Sequence, residues 1–531
     1  MDPVTEPAPC ASTYPVVDGL GDVLLRWAEA APDASCLTVA HSRSWSRAGL
    51  LDQSSAVQAG LRRLSVGAGD QVALMGQNSL ELAAALLAVP AMGAVAVPIN
   101  TGLVGDGLAY VLTHSGAKVL VVDADLAERA LAHAVGLDAQ HVVVIGGSGL
   151  PGTTAWATAF PRTEVAFVSI GSGDDPAYNI YTSGTTGTAK GVLLSHRTVL
   201  LGAAACAGVM FEAEESDVIY TSLPFFHCAA LQLGLWTSWM SGAHLVFEPR
   251  FSASTFWATM RKYHVTAFHF IGPLMTVLWM RGPSDGDRDH SVRLAVGGGP
   301  RSVWTEFEER HGVQIVEMFG MTETFGGCIG HRPGRGKPWT VGKPLSHVEL
   351  KIVNPEGLEL PALEPGELLI RERSPGALMS GYFHDPTRTA AAMDGGWYHT
   401  GDLCSLDADG FLRFHSRLRD IIRHRGENVS AVEIENVVNR HPHVAESAAV
   451  AVPSEIYEED ILLAVVPSTA DIDVPKIIEA AAEHLPSFAL PRFVCVVDEL
   501  PKTATARVQK HLLAGLRDTA WDRLATESAS S

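Results

Sequence analysis

Apolar positions in the first part of the chain follow two alternating spacings. From Val23 to about Pro98, runs with helical spacing are separated by short continuous apolar runs such as Gln71–Met75. Similar strand-like runs recur at Val119–Val122 and Val142–Ile145. Helical stretches that alternate with short buried strands are typical of a layered α/β fold. The pattern therefore predicts a large α/β domain in the N-terminal part of the chain.

A second stretch of the same kind is rich in aromatic residues, Gly and Met. It contains Leu223–Trp236, the strand-like run His244–Phe247, and Thr266–Leu274. This composition suits the wall of a ligand pocket. We therefore expect a binding pocket within the large domain.

The pattern changes near Asp420, beyond which we expect a small α+β unit. Helices are predicted at Val429–Arg440 and Pro475–Glu483, and strands at Ala448–Val452, Leu462–Val466 and Phe493–Val497. A chain of 531 residues is also too long for one hydrophobic core. The sequence thus predicts an N-terminal domain of layered α/β subdomains over residues 1–419 and a small α+β C-terminal domain over residues 420–531.

Composition and charge narrow the class of protein. Hydrophobic residues make up 47% of the chain and charged residues 18%, as in an ordinary globular protein. The net charge of −20 argues against a nucleic-acid partner, because a nucleic-acid groove needs clustered Lys and Arg. Small molecules or proteins are the expected partners, and the sequence leaves the oligomeric state open.

Targeting signals and cysteines indicate a cytoplasmic protein. The N-terminus has no basic region ahead of an apolar core, so no secretory signal is predicted. The apolar run Leu82–Ile99 is interrupted by Pro90, Gly93 and Pro98, and we interpret it as a buried helix followed by a strand rather than a membrane span. The seven cysteines are scattered without a CxxC pair, which is typical of reduced thiols.

The clearest chemistry lies in YTSGTTGTAKG, Tyr181 to Gly191. Three glycines, five Ser or Thr residues and one Lys lie within these eleven residues. Such a loop turns backbone N–H groups toward an anion, adds hydroxyl donors and supplies an ammonium charge. It is not a Walker A loop, because Gly187 is followed by Thr188 and Ala189 instead of Lys and Ser or Thr. The stretch predicts a polyphosphate site of another kind.

A plain surface turn is the alternative interpretation of this loop, since Gly, Ser and Thr cluster in turns. The apolar runs Ala177–Ile180 and Val192–Leu194 on either side, however, predict strands. Ser195 is placed to cap a helix that begins near His196. A hydroxyl-rich loop between buried strands favours nucleotide binding.

Six further motifs follow the loop in order. They read LPFFH, GGGP, FGMTE, HTGD, RLRDIIRHRGEN and PKTATARVQK. From about Trp45 to Leu513, the chain resembles the adenylate-forming superfamily, which includes acyl-CoA synthetases, nonribosomal adenylation domains and firefly-type luciferases. LPFFH, FSASTFW and RGENVSAVEIE look most like the branch of small and medium acid–CoA ligases.

The resemblance implies an AMP-forming ligase that uses ATP, Mg²⁺ and CoA. Such enzymes convert a carboxylic acid into an acyl-adenylate, release pyrophosphate and pass the acyl group to a thiol. The β- and γ-phosphates would be held by Thr182, Ser183, Gly184, Thr185, Thr186, Gly187 and Lys190. Glu323 is implied to hold Mg²⁺, as a hard oxygen ligand for a hard ion, and Thr322 to reach the α-phosphate.

The nucleoside is implied to contact a second set of residues. Adenine would lie against Gly298, Gly299, Phe319, Gly320 and Met321, with Phe319 where the family often has Tyr. Asp402 would accept hydrogen bonds from both ribose hydroxyls, and Arg417 would bind ribose or phosphate. For either residue in isolation, the favoured interpretation is structural, with Glu323 a helix-start carboxylate and Asp402 a turn former. The order of the motifs favours the functional roles.

The acid pocket is implied to be mostly apolar with few charges. Its predicted lining comprises His227, Gln232, Ile271, Gly272, Gly297, Met321 and Thr324. An uncharged aromatic or short aliphatic acid suits this set. His227 is either a substrate or thiol-channel contact or a core histidine, and Cys228 is expected to be a small pocket-lining thiol.

The family rotates its C-terminal domain between two half-reactions, and Asp420 matches the hinge residue. After rotation, Gly426, Glu427 and Asn428 would face the site and form part of a channel for the thiol arm. The alternative for this segment is a simple turn before a helix.

The chain departs from the family pattern at Arg507, where the family has a catalytic lysine. A planar guanidinium does not replace a compact ammonium freely. Three hypotheses follow. Arg507 or nearby Lys510 does the work of that lysine in an acid–CoA ligase; the adenylate passes to a carrier-protein thiol or an amine, including diazotase chemistry with nitrite; or the chain is a weakened nucleotide-binding relative.

Overall fold

The computed structural model describes residues 17–134, 136, 141–147, 150–182, 189–299, 303–418, 421–424, 427–454, 459–469, 472–502 and 508–524. The chain divides into two compact units. The first comprises Met1–Leu350 and Ile370–Tyr398, and the second Lys351–Leu369 and His399–Ser531. The predicted hinge residue, Asp420, lies outside the described residues, so a domain boundary at that position stays a prediction.

The first unit contains an eight-stranded sheet with a mainly parallel centre. In spatial order its strands are Gly381–Tyr382, Lys190–Ser195, Pro176–Thr182, Val95–Pro98, Gln71–Met75, Val119–Asp123, Val142–Ile145 and Thr154–Ala155. The two strands on either side of the predicted phosphate loop pair antiparallel. The ends of these two strands, Thr182 and Lys190, therefore lie side by side.

The first unit also contains a nine-stranded sheet. In spatial order its strands are Lys343–Pro344, Gly326–Gly330, Gln314–Met321, Leu294–Gly298, Ala267–Ile271, Val218–Thr221, His244–Phe247, Ser35–Val39 and Ser44–Ser46. Its central strands are parallel. Carboxyl ends of parallel strands lie at one edge of a sheet, so the ends of Leu294–Gly298 and Gln314–Met321 come together.

Helices pack with these two sheets. The α-helices of the first unit are Leu20–Ala30, Arg47–Arg63, Leu80–Ala91, Gly105–Ser115, Ala124–His133, Trp156–Ala159, His196–Ala205, Cys228–Ala230, Thr237–Ser241, Phe256–Lys262, Gly272–Met280, Trp304–His311 and Pro386–Ala392, and π-helices lie at Cys206–Phe211 and Leu231–Trp236. Phe256, Phe268, Phe270 and Phe307 are at most 1% exposed and form part of one apolar core.

The helix Leu80–Ala91 and the strand Val95–Pro98 confirm the interpretation of the longest apolar run. Every residue of the helix except Glu81 is buried, and Ser79 Oγ caps it by accepting a hydrogen bond from Leu82 N at 3.1 Å. Across the described ranges, no helix combines the length and apolar character needed to cross a membrane.

A five-stranded sheet comprises Val348–Val353, Gly366–Glu372, Met393–Asp394, Trp397–Leu406 and Leu412–Arg417. The strands Trp397–Leu406 and Leu412–Arg417 form an antiparallel pair in which Asp402 lies opposite Arg417.

The second unit ends in an α+β arrangement, as predicted. A hairpin pairs Ile421–His424 with Glu427–Ser430, and a four-stranded sheet comprises Val444–Pro453, Glu459–Pro467, Phe493–Val496 and Trp521–Asp522. Helices run over Ala431–Val438 and Val474–Ala482, with 3₁₀ turns at Ser487–Ala489, Lys510–Leu512 and Ala514–Thr519. The predicted helices and strands of this region are confirmed to within a few residues at their ends.

Candidate active site

The predicted phosphate loop connects two antiparallel strands whose ends the structure describes. Thr182 ends one strand and pairs with Lys190, which begins the next. The second strand ends at Ser195, whose Oγ accepts a hydrogen bond from Thr198 N at 3.1 Å and caps the helix His196–Ala205. The predicted strands and the cap are confirmed. The intervening candidates Ser183, Gly184, Thr185, Thr186 and Gly187 lie outside the described residues, and their roles stay predictions.

The hydroxyl of Thr182 fits a phosphate oxygen as a ligand. Its Oγ1 atom is buried and has no hydrogen-bond partner among the described residues. Buried polar atoms normally have partners, because an unpaired one costs about 1–3 kcal/mol. An anion bound at the start of the loop would supply the missing partner.

Lys190 is bonded to a buried carboxylate and to a tyrosine. Its Nζ lies 2.7 Å from Glu323 Oε1 and donates a second hydrogen bond of 2.7 Å to the hydroxyl of Tyr382. The Tyr382 hydroxyl donates to Glu323 Oε1 at 2.9 Å and lies 3.5 Å from the hydroxyl of Tyr398. The structure thus brings the predicted phosphate lysine and the predicted metal carboxylate into direct contact.

Charge outweighs burial in setting the protonation of this group. Burial alone would raise the pKa of Glu323, but the charge and hydrogen bond of Lys190 hold that pKa below its usual value. Burial alone would lower the pKa of Lys190, but Glu323 and the hydrogen bonds raise it. Burial also raises the pKa of the Tyr382 and Tyr398 hydroxyls. The lowered pKa keeps Glu323 a carboxylate at neutral pH, the form that can bind Mg²⁺.

Glu323 occupies a short turn at the end of a strand. The strand Gln314–Met321 is followed directly by the 3₁₀ turn Thr322–Thr324. Phe325 then adopts the left-handed conformation, with φ of 51°, and reverses the chain. The predicted nucleotide residues Phe319, Gly320, Met321 and Thr322 are consecutive along this strand and turn, so they lie beside Glu323.

Close packing of backbone requires glycine at two predicted site positions. A Cβ on Gly297 would lie 2.1 Å from Phe270 O, and a Cβ on Gly320 would lie 1.7 Å from Gly326 O. Neither separation is possible for a real Cβ atom, so these two glycines allow the strands themselves to approach. Gly297 was predicted to line the acid pocket, and the contact that requires glycine there is the packing of the neighbouring strand.

Gly298 and Gly299 differ from these two glycines. A Cβ on Gly298 would make only an ordinary contact of 3.4 Å with Met318 O. Gly299 has φ of 113°, where other residues are strained. A Cβ on Gly298 would therefore be tolerated, and contact of Gly298 or Gly299 with adenine stays a prediction.

Two predicted pocket residues form hydrogen bonds within the protein through their polar groups. Gln232 is completely buried, donates to Gly202 O at 3.2 Å and Gly327 O at 3.1 Å, and accepts from Gly327 N at 2.6 Å. Thr324 Oγ1 donates to Gly326 O at 2.7 Å. These bonds fix the chain around the turn, while contact of either residue with an acid stays a prediction.

The other pocket candidates lie on two segments. His227 is half-buried and precedes the helix Cys228–Ala230, and burial lowers the pKa of its imidazole, which favours the neutral form. Cys228 is buried, and burial raises its pKa, so its thiol is unreactive. Ile271 ends its strand and is 36% exposed, and Gly272 begins the following helix.

The predicted ribose residues form an ion pair in the second unit. Arg417 Nε lies 2.8 Å from Asp402 Oδ1, and Arg417 also donates to Thr400 O at 3.3 Å. The side chain of Asp402 is fully buried, whereas that of Arg417 is 30% exposed. The pair confirms that the two residues lie together, and ribose binding by Asp402 stays a prediction.

The C-terminal candidates are only partly described. Lys510 Nζ lies 2.7 Å from Glu435 Oε1, so Lys510 already has a carboxylate partner in this conformation. Glu427 and Asn428 belong to a hairpin strand, opposite His424 and Arg423. The candidates Asp420, Gly426 and Arg507 lie outside the described residues, and their hinge, channel and catalytic roles stay predictions.

Sequence analysis did not identify Tyr382 or Tyr398 as site residues. Tyr382 reaches Lys190 because the short strand Gly381–Tyr382 pairs with Lys190–Ser195, placing Tyr382 opposite Val192. The two paired strands are far apart in sequence, and no local sequence pattern predicts their pairing. Tyr398 could have been found, since it lies in the polar segment Trp397–Leu403.

Comparison with known proteins identifies the family. The model described as AMP-binding enzyme matches residues 24–383, and that of the AMP-binding enzyme C-terminal domain matches residues 433–507. The chain belongs to the AMP-binding enzyme family. This membership confirms the predicted class, an adenylate-forming acid–CoA ligase that uses ATP, Mg²⁺ and CoA.

The similarity to relatives extends over most of the chain of this AMP-binding enzyme. The chain is 30% identical over 515 residues to an oxalate–CoA ligase of Arabidopsis thaliana, covering 94% of this chain and 98% of the relative. It is 30% identical over 459 residues to a crotonobetaine/carnitine–CoA ligase of Salmonella arizonae, covering 84% and 88%. A solved structure of an anthranilate CoA ligase with anthranoyl-AMP superposes with a TM-score of 0.85 at 27% identity, covering 95% and 98% of the two chains. The predicted α/β fold with a small C-terminal domain is confirmed.

Proposed function

We propose that this enzyme converts an uncharged aromatic or short aliphatic carboxylic acid into its CoA thioester through an acyl-adenylate. The observation that carries the proposal is the contact between Lys190 and Glu323, which joins a phosphate-binding cation to a metal-binding carboxylate beside the nucleotide segment. The predicted pocket lining, which has few charges, favours an uncharged acid. The relatives' names cover oxalate, carnitine and anthranilate, so family membership alone leaves the acid open.

The residues of the first unit account for nucleotide activation. Bound ATP and Mg²⁺ supply an electrophilic α-phosphorus with its negative charge partly neutralised. Lys190 and the Thr182 hydroxyl would bind the outer phosphates, and Glu323 would hold the metal ion. Gly298 would contact adenine through its backbone. The acid carboxylate could then attack the α-phosphorus while these groups hold the leaving pyrophosphate.

Positive charge near the reacting carboxylate is expected to come from Arg507, at the position of the family lysine. A guanidinium keeps the charge and offers a planar pair of N–H donors. We propose that Arg507 stabilises the adenylate-forming transition state. Lys510 is the less favoured candidate, because Glu435 already occupies its ammonium.

A cytoplasmic location forms part of the proposal. ATP and CoA are both cytoplasmic metabolites, and no disulfide joins cysteines within the described ranges. Unlinked cysteines suit a reducing compartment.

Product analysis by mass spectrometry tests the proposed function. The enzyme would be incubated with ATP, Mg²⁺ and a panel of aryl and short aliphatic acids, with and without CoA, and separately with nitrite and aryl amines. We expect AMP together with a CoA thioester of one or more acids. AMP that appears only with nitrite and an amine, or an adenylate that accumulates despite CoA, would contradict the proposed acceptor.

A further inference from the structure

The hydroxyl of Tyr382 lies between the two charged groups of the site. It accepts a hydrogen bond from Lys190 and donates one to Glu323. Building on the proposed function, we propose that Tyr382 is a positioning residue, which holds the Glu323 carboxylate in place when Lys190 leaves it to bind a phosphate.

Lys190 and Glu323 neutralise each other in the structure. The carboxylate is buried, with its side chain 7% exposed, and Lys190 is 22% exposed. Breaking a buried ion pair by removing one partner is strongly unfavourable, because the remaining charge loses its partner. When Lys190 turns to a phosphate, Glu323 therefore needs another donor or a cation. Tyr382 is a donor already in contact with it.

The Lys190 ammonium lies 4.2 Å from the centre of the Tyr382 ring, but other contacts also hold Tyr382 in position. Its strand pairs with the strand Lys190–Ser195 through Val192, and its backbone N–H donates to Thr389 Oγ1 at 2.8 Å. The residue is 5% exposed, so packing fixes the ring. The Tyr398 hydroxyl, 3.5 Å away, adds a second buried polar group beside it. A fixed hydroxyl of this kind can hold a carboxylate through a change of counter-ion.

The arrangement couples the nucleotide to the divalent cation. A nucleotide that draws Lys190 away leaves the negative charge of Glu323 facing the phosphates, so Mg²⁺-free nucleotide should bind weakly. A cation at Glu323 removes that repulsion and frees Lys190. Nucleotide and cation should therefore bind as a pair, with Tyr382 fixing the carboxylate that joins them.

Calorimetric binding of a non-hydrolysable ATP analogue, titrated with Mg²⁺ and without acid or CoA, tests the inference. In Tyr382→Phe, the Mg²⁺ concentration for half-maximal analogue binding should rise about tenfold, the effect expected for a lost hydrogen bond to a charged group. Tyr220→Phe is the matched control, because Tyr220 is also buried and donates to a buried carboxylate, Glu248, at 2.7 Å. Its Mg²⁺ dependence should equal that of the wild type.

A second variant tests the ion pair without relying on Tyr382. In Glu323→Gln, Lys190 is free from the start, so the analogue without Mg²⁺ should bind more tightly than to the wild type, and Mg²⁺ should no longer improve binding. A merely structural role of Glu323 would instead weaken binding in both conditions.

The outcomes separate this inference from the proposed function. Analogue binding with unchanged Mg²⁺ dependence in Tyr382→Phe, or an equal change in Tyr220→Phe, would overturn the positioning role alone. Weaker Mg²⁺-free binding in Glu323→Gln would also overturn it. Failure of the wild type to bind any nucleotide would overturn the proposed function together with the inference.

Discussion

At the scale of single residues, a pair of opposite charges and a set of glycines define the candidate site. Lys190 and Glu323 remain charged although both lie in a partly buried setting, because each stabilises the ionised form of the other. Gly297 allows two strands to approach, whereas a Cβ on Gly298 would make only an ordinary contact with Met318 O. Neighbouring glycines therefore have different physical reasons to be glycine.

The two glycines predict opposite results on substitution by alanine. Gly297→Ala should lower the free energy of unfolding by about 1–3 kcal/mol, because its Cβ would lie 2.1 Å from Phe270 O and the strands must separate. Gly298→Ala is the control, with an ordinary contact of 3.4 Å. Thermal or denaturant unfolding of both variants provides the measurement. Equal stability of the two variants would contradict this account.

The order of the motifs was sufficient to predict several site residues, but not the residues with which they form hydrogen bonds and ion pairs. Lys190 and Glu323 were both proposed from the sequence, but their direct contact joins positions more than a hundred residues apart. Tyr382 was missed because it contacts them through strand pairing that has no local pattern. The amide of Gln232 has the same limitation, since its three partners are backbone atoms of distant segments.

At the scale of elements, the spacing of apolar residues was sufficient to predict the strands and helices discussed above. The buried helix Leu80–Ala91 and the strands beside the phosphate loop follow directly from apolar runs and caps. The π-helix Leu231–Trp236 was not predicted, because an inserted residue in a helix leaves no distinct apolar period. Gln232 lies in this π-helix and connects it to two other elements.

We expect Gln232 to stabilise the junction of these elements. Gln232→Met keeps the size of the side chain but removes its three hydrogen bonds to backbone atoms of Gly202 and Gly327. The free energy of unfolding should fall by about 2–4 kcal/mol, because buried polar groups lose their partners. Denaturant titration measures this loss.

The matched control is Gln314→Met, which changes an exposed glutamine on a neighbouring strand. Its stability should change by no more than about 0.5 kcal/mol. A loss in Gln314→Met as large as that in Gln232→Met would show that methionine itself, and not the missing hydrogen bonds, is responsible.

At the scale of the whole molecule, buried histidines make stability depend on pH. Burial lowers the pKa of His196, His311, His331 and His347 to about 4 and that of His269 to about 3. The unfolded chain, whose histidines titrate near 6.5, binds more protons than the folded chain between these values. Stability is therefore fully present above about pH 6.5 and falls as the pH decreases toward 4.

His347 provides the sharpest test of this pH dependence. Both of its ring nitrogens are buried, and neither has a hydrogen-bond partner in the described part of the chain. Between pH 6.5 and pH 4, His347→Leu should lose less stability than the wild type, by up to ~3 kcal/mol, because the variant has no imidazole to protonate on unfolding. Denaturant unfolding at several pH values measures the slope, with exposed His443→Leu as the control. An unchanged slope in His347→Leu would refute the contribution of this residue.

The proposed chemistry is tested most directly by following carboxylate oxygen from the acid to AMP. With an acid labelled with ¹⁸O in its carboxylate, attack on the α-phosphorus followed by transfer to CoA leaves a labelled oxygen on AMP, which mass spectrometry detects. We predict ¹⁸O-labelled AMP together with the CoA thioester. Thioester formed with unlabelled AMP, or with ADP and phosphate in place of AMP, would contradict activation through an acyl-adenylate.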